Sequence, residues 1–148
     1  MTKVLVVDDN RDGAEMLSLL LQMWGYTTVS AYDGVPALEL ADTFRPDVIL
    51  LDLAMPGLSG YEVARRLRSQ PQHRGLHLIA VSGYGRTEDK VGAYGAGFES
   101  HLLRPVEDAT LKSVLESHSS KAELSARTQE PASRTEPQVK KKLTNEAR

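Results

Sequence analysis

Two apolar patterns alternate along the chain. One is a short unbroken run, the other a repeat at helical spacing. The first run, "KVLVV" (3–7), is β-branched and stops at two aspartates, which is the pattern of a strand buried on both faces of a parallel sheet. Asn10 then stands where a helix cap belongs. Ala14, Leu17, Leu20, Leu21 and Trp24 follow at helical spacing, and Gly25 closes the element. "TTVSA" (27–31) reads as the second strand. "GVPALELADTF" (34–44) reads as the second helix, with Pro36 in its first turn. "DVILLD" (47–52) is a third strand, again apolar and again ending in aspartate. A loop (53–59) precedes a helix over 60–69 that places Val63 and Leu67 on one face. "LHLIAVS" (76–82) predicts a fourth strand, 87–97 a glycine-weakened helix, "FESHLL" (98–103) a fifth strand, and 106–118 the last helix. Five strand–helix alternations predict an open parallel sheet with helices on both faces, an α/β fold.

The pattern stops after His118. Residues 119–148 are rich in Ser, Thr, Glu, Lys, Gln and Pro and hold no aromatic residue. Such a segment buries too little apolar surface to order itself, so it is expected to be a disordered tail, with helix persisting to about Ala126. The predicted organisation is one domain over 1–118 and this tail.

Charge follows the same division. The net charge is −2, but the tail holds seven basic and four acidic residues, a net +3, which leaves −5 on the body. An acidic body with a mildly basic tail is not the footprint of a dedicated nucleic-acid binder, and no direct DNA binding is expected. The chain has no cysteine, which excludes a disulfide framework or a cysteine-based zinc site and fits a reducing cytosol. "MTKVLVV" is too short for a signal peptide or membrane helix, so a soluble, cytoplasmic protein with no membrane partner is expected.

In a sheet of this kind, the loops at the carboxyl ends of the strands share one edge. Asp8 and Asp9 follow the first strand, Asp52 ends the third, Ser82 ends the fourth, and Arg104 follows the fifth. Three crowded carboxylates repel one another unless a cation neutralises them. All-oxygen ligation by few protein groups suits Mg²⁺, which keeps its waters. Three carboxylates, one Mg²⁺ and one arginine sum to zero formal charge. A carboxylate can act as a nucleophile toward phosphorus. A phosphoryl group on Asp52 would be held by the metal, the Ser82 hydroxyl and the Arg104 guanidinium, in a transfer that needs positioning more than covalent help.

With "VLVVDD" (4–9), "DVILLDLAMPGLSGYE" (47–62), "LIAVSGYG" (78–85) and "GAGFESHLLRP" (95–105), residues 3 to about 118 resemble the CheY-like receiver domain of bacterial two-component response regulators. "SHLLRPVED" is most similar to receivers of hybrid sensor kinases. The resemblance implies a doubly wound, flavodoxin-like five-stranded sheet in the order 2-1-3-4-5. It implies Asp52 as phosphoacceptor, Asp9 as a direct Mg²⁺ ligand, Asp8 as a direct or water-mediated one, and the Ala54 carbonyl as a further ligand. Ser82 takes the family's Thr/Ser position, and His101 the position of an aromatic readout residue. Arg104 replaces a near-invariant lysine, and the Arg104–Pro105 bond is expected to be cis. The implied role is a phosphorylation-dependent switch that is not an enzyme in the usual sense. Its donor would be a sensor histidine kinase or a histidine phosphotransfer protein. Its target would be engaged through the 87–97 helix, the fifth strand and the last helix.

Plainer readings stand beside these. Asp8 and Asp9 would also suit a helix N-terminus, Ser82–Gly83 is ordinary turn chemistry, and His101 would serve as a partly exposed strand residue. "GYGRTE" and "GAYGAG" lack the placement of a phosphate loop, no histidine pair has metal spacing, and "KKK" (140–142) is a solvated run. Arg104 and His101 leave a phosphorylation-independent pseudo-receiver as the alternative. A phosphohydrolase would need an acid where Ala54 stands.

Overall fold

The computed structural model describes residues 2–83 and 95–128, with side chains described as far as His118. Five parallel strands, β1 (Lys3–Val7), β2 (Thr27–Ala31), β3 (Val48–Asp52), β4 (His77–Ser82) and β5 (Ser100–Leu103), form one sheet in the order β2-β1-β3-β4-β5. The helices are α1 (Arg11–Met23), α2 (Gly34–Phe44), α3 (Gly60–Arg68) and α4 (Asp108–Thr128).

Strand periodicity of two explains why both faces are dry. In β1, Leu5 and Val7 join Ile49, Leu51, Leu78 and Ala80 beneath α2 and α3, packed on Ala37, Val63 and Leu67. Val4 and Val6 join Val48, Leu50 and Ile79 on the other face, under Ala14 and Leu21 of α1 and Leu111 and Leu115 of α4. Side-chain caps start the first three helices. Asn10 accepts from the Gly13 amide, Asp33 from Gly34 and Ser59 from Glu62.

The boundaries shift where backbone bonds are spent outside the ladder. Asp47 precedes β3 rather than starting it, and its carboxylate accepts the Lys3 amide at 2.8 Å. Phe98 and Glu99 precede β5: Phe98 is buried in the core, and the Glu99 amide donates to the Leu78 carbonyl at 2.9 Å. β4 begins at His77, and α3 ends at Arg68 with Ser69 as its C-cap. α4 begins at Asp108, two residues later than expected, and continues to Thr128. A short 3₁₀ turn at Pro71–His73 was not expected from the pattern; it buries His73 with Nε2 2.8 Å from Asp42. The helix expected over 87–97 lies outside the described residues except at its end, where Gly95 and Ala96 are helical. The chain divides into two units, residues 1–118 and 119–148, and 129–148 lie outside the described residues.

At the end of the sheet opposite the acidic loops, Arg68 ties α3 to the strand starts. Its guanidinium donates to the Gly97 carbonyl at 3.0 and 3.1 Å, to Leu76 at 2.6 Å and to Glu99 at 2.9 Å. Burial pushes the Glu99 carboxyl up, but His77, the Leu78 amide and Arg68 together hold it below its usual range. Arg68→Ala strips several acceptors at once, so it is expected to cost about 2–3 kcal/mol. Arg68→Lys should recover only part of that, because an ammonium cannot span the same acceptors. Urea denaturation of the two variants checks this.

Candidate functional site

The backbone delivers the predicted residues to one edge by extending the ladder one step past each strand. The Asp8 amide donates to Ala31 at 3.1 Å, Leu53 to Val81 at 3.0 Å, and Arg104 to Ser82 at 2.9 Å. Asp52 itself is the last residue of β3 and pairs with Val81. It is only 3% exposed, although it is a carboxylate.

Asp8, Asp9 and Asp52 each present an oxygen, and these lie within 4.8 Å of one another. Among the described residues, this is the group of acids or histidines spaced to hold a metal ion. The donors are hard carboxylate oxygens, which fit Mg²⁺ better than a softer ion. The cap reading of the aspartates is answered by division of labour. Asn10 caps α1, while Asp8 Oδ1 accepts the Asn10 amide at 3.0 Å and Asp8 Oδ2 accepts Arg104 Nη2.

Arg104 leans over the cluster. Its Nη2 lies 2.6 Å from Asp8 Oδ2 and 3.4 Å from Asp52 Oδ2, and its Nη1 lies 3.5 Å from Asp52 Oδ1. The Ala54 amide also donates to Asp52 Oδ1, at 3.0 Å. Burial dominates the titration of Asp52 and pushes its carboxyl up from 3.8 to about 6. The Ala54 amide and Arg104 oppose that rise, while Asp8 and Asp9 add to it. Burial alone would lower the Arg104 guanidinium, but Asp52 and Asp8 raise it.

Ser82 is 2% exposed, and its Oγ lies 2.7 Å from His101 Nε2, so the two residues singled out from β4 and β5 meet directly. The Arg104–Pro105 bond is cis, as expected. Sequence reasoning missed Gly60. A Cβ there would lie 2.2 Å from the Asp52 carbonyl oxygen and 2.8 Å from Leu53 Cα, so α3 begins hard against the strand end that carries Asp52. Its only signal was a glycine directly after the Ser59 cap.

Residues 4–116 match the family model for the response regulator receiver domain. Response regulator MprA of Mycobacterium ulcerans is 39% identical over 103 residues, 70% of this chain and 44% of that protein. Protein PilH of Pseudomonas aeruginosa is 32% identical over 111 residues, 75% of this chain and 92% of PilH. The structure of the Vibrio cholerae chemotaxis protein CheY4 superposes with a TM-score of 0.74 at 34% identity, covering 78% of this chain and 97% of that one. The chain thus spans less than half the length of MprA but nearly all of PilH. Family model, relatives and sheet order agree: this chain belongs to the response regulator receiver domain family.

Proposed function

We propose that the chain is a phosphoacceptor switch of a two-component phosphorelay, phosphorylated on Asp52. Receiver domains are signalling domains, and response regulator relatives imply histidine kinase partners. The observation that carries the finer reading is the buried Asp52 carboxylate, flanked by Asp8 and Asp9 and bridged by Arg104. A carboxylate so placed is desolvated, and it is aimed at a position where charge can be neutralised from three sides.

The transfer would run as an in-line displacement. An Asp52 oxygen bonds to phosphorus as the P–N bond of a donor phosphohistidine breaks. The bonding pair returns to the donor imidazole, which takes up a proton. Asp8, Asp9, Asp52 and the Ala54 carbonyl would hold Mg²⁺, which supplies positive charge to the phosphoryl oxygens when bound. Ser82 would donate its hydroxyl to the phosphoryl group and so leave His101, which links the chemistry to β5. The reaction would stop at the acyl phosphate, which later hydrolyses. The donor would be a sensor kinase or phosphotransfer protein, acting in the cytoplasm. Output would run through β5, α4 and the segment between β4 and β5 to a protein target rather than to DNA. Among the described residues no helix is long and apolar enough to cross a membrane.

Incubation with phosphorylated kinases or a small acyl phosphate, read by intact mass, tests this reading. It should give one added phosphoryl group, absent in Asp52→Asn. Asp9→Asn should weaken Mg²⁺ binding by about tenfold or more, because it removes a hard ligand from a site that has few. Calorimetric or NMR titration checks this, and unchanged affinity would remove Asp9 from the site. Arg104 at the lysine position favours one second reading, a pseudo-receiver that works without phosphorylation. Its signature would be no acceptance from any donor and no binding of beryllofluoride by the unsubstituted chain, with both gained in Arg104→Lys.

A further inference from the structure

We infer that His77 and His118 form an acid-released anchor for α4: at neutral pH the pair pins the helix to the starts of β4 and β5, and a second proton on the pair lets that part of the helix go. The pair lies at the end of the sheet opposite Asp52, so the inference stands without any reading of the acidic edge.

α4 faces the sheet through a stripe at helical spacing, Leu111, Leu115 and His118. The two leucines join the core, but the third position is a histidine only 4% exposed. Its Nε2 lies 3.2 Å from Ser100 Oγ at the start of β5. Its ring lies against that of His77, the first residue of β4, with centroids 4.9 Å apart and planes tilted by 37°. An apolar side chain would fill such a position at any pH, whereas a histidine brings a charge that pH controls.

The surroundings balance one positive charge on the pair, not two. His77 Nδ1 lies 3.1 Å from Glu99 Oε2, so that carboxylate balances a proton on His77. The other Glu99 oxygen accepts Arg68 Nη2 at 2.9 Å and the Leu78 amide at 2.8 Å. His118 has the neutral Ser100 hydroxyl instead. Asp47 accepts the His77 amide through its carbonyl at 3.1 Å, but its carboxylate is taken by the Lys3 amide at 2.8 Å. The Lys3 ammonium goes to the Phe44 carbonyl, and His73 goes to Asp42. Tyr26 and Trp24 pack on this face of the sheet, while Lys112, over the Trp24 ring, and Glu116 are exposed on α4. A second proton therefore sets two imidazolium rings side by side, and His118 reaches water only if the helix moves. The unfolded chain takes a proton on each ring as the pH falls through the histidine range, and the folded pair takes one. The contact is thus complete above that range and is lost as the pH falls through it.

Hydrogen exchange read by NMR on the full chain, from about pH 8 to about pH 5.5, tests this across the histidine range. Corrected for intrinsic exchange, protection of the amides of residues 111–118 should fall at least about fourfold, the effect of two unit charges at this separation even with water-like screening. The amides of Leu5 and Val6 in β1 should keep their protection. The Hε1 signal of His118 should move along the same pH curve as the loss. His118→Gln offers Ser100 a polar partner but takes no proton, so it should abolish the fall. His77→Gln should reduce it, and the double variant should give no more relief than His118→Gln alone. An equal fall in His118→Gln and the unsubstituted chain would overturn the anchor, as would equal loss in β1, which means global unfolding. So would protection that holds throughout, or a His118 signal that reaches its charged position while residues 111–118 stay protected. These last readings need only the unsubstituted chain, so they decide the matter even where His118→Gln fails to fold.

Discussion

Asp52→Asn will melt at a higher temperature than the unsubstituted chain at neutral pH without divalent metal, while losing all phosphoryl acceptance. The stability gain follows from the direction of the Asp52 shift. Its carboxyl is raised by burial from 3.8 to about 6, so the folded state binds the proton more tightly than the unfolded state. Below 3.8 both states are protonated, and the group takes nothing from stability. As pH rises from 3.8 toward about 6, the unfolded chain ionises first and stability is lost; above that window the loss is complete. A shift of this size corresponds to at most about 3 kcal/mol. Asparagine removes the charge and keeps the shape, so it should recover on the order of 1–3 kcal/mol, several degrees in Tm for a domain of this size. The gain should fade as the pH approaches 3.8. It should also shrink when Mg²⁺ is added, because the metal stabilises only the ionised carboxylate. Thermal melts of both proteins across that pH range, with and without Mg²⁺, decide the matter. An asparagine variant less stable at neutral pH would contradict the burial argument.

Gly60→Ala is expected to be the most damaging single-methyl change near the site. The added Cβ would sit 2.2 Å from the Asp52 carbonyl oxygen, 2.8 Å from Leu53 Cα and 3.0 Å from the Asp52 carbonyl carbon. All three are backbone atoms of the segment that carries Asp52, so no side chain can swing aside. The Gly60 amide also donates to the Leu53 carbonyl at 3.2 Å, which locks α3 to this segment. Either α3 withdraws and loses the packing of Val63 and Leu67, or the end of β3 moves. The cost should be about 3 kcal/mol or more. Where the fold survives, phosphoryl acceptance should fall steeply, because Asp52 is displaced from Asp8 and Asp9. Gly75→Ala is the control, since nothing lies within 4 Å of a Cβ there. Urea denaturation and intact-mass phosphorylation of the two variants should separate them clearly.

The fold was legible in the sequence because its determinants are local. Unbroken β-branched runs have no polar face to give to water, so "KVLVV" and "VILLD" had to lie inside a parallel sheet covered on both sides. Asn10 caps α1 through a bond to Gly13, three positions away, and such a bond follows from sequence spacing. The site was legible to the same depth. Runs that stop at Asp8, Asp52 and Ser82 share an edge in any parallel sheet, so their gathering followed from the alternation. Which partner each group takes did not follow. That Arg104 grips Asp8 more closely than Asp52, that Ser82 meets His101, and that Arg68 gathers carbonyls from Leu76 and Gly97 depend on strand order and the angle at which α3 meets the sheet. So does the close approach of Gly60 to the end of β3. These are distances of a few ångströms between residues tens of positions apart. Periodicity selects the face on which a side chain lies, and only the packed structure decides what it touches.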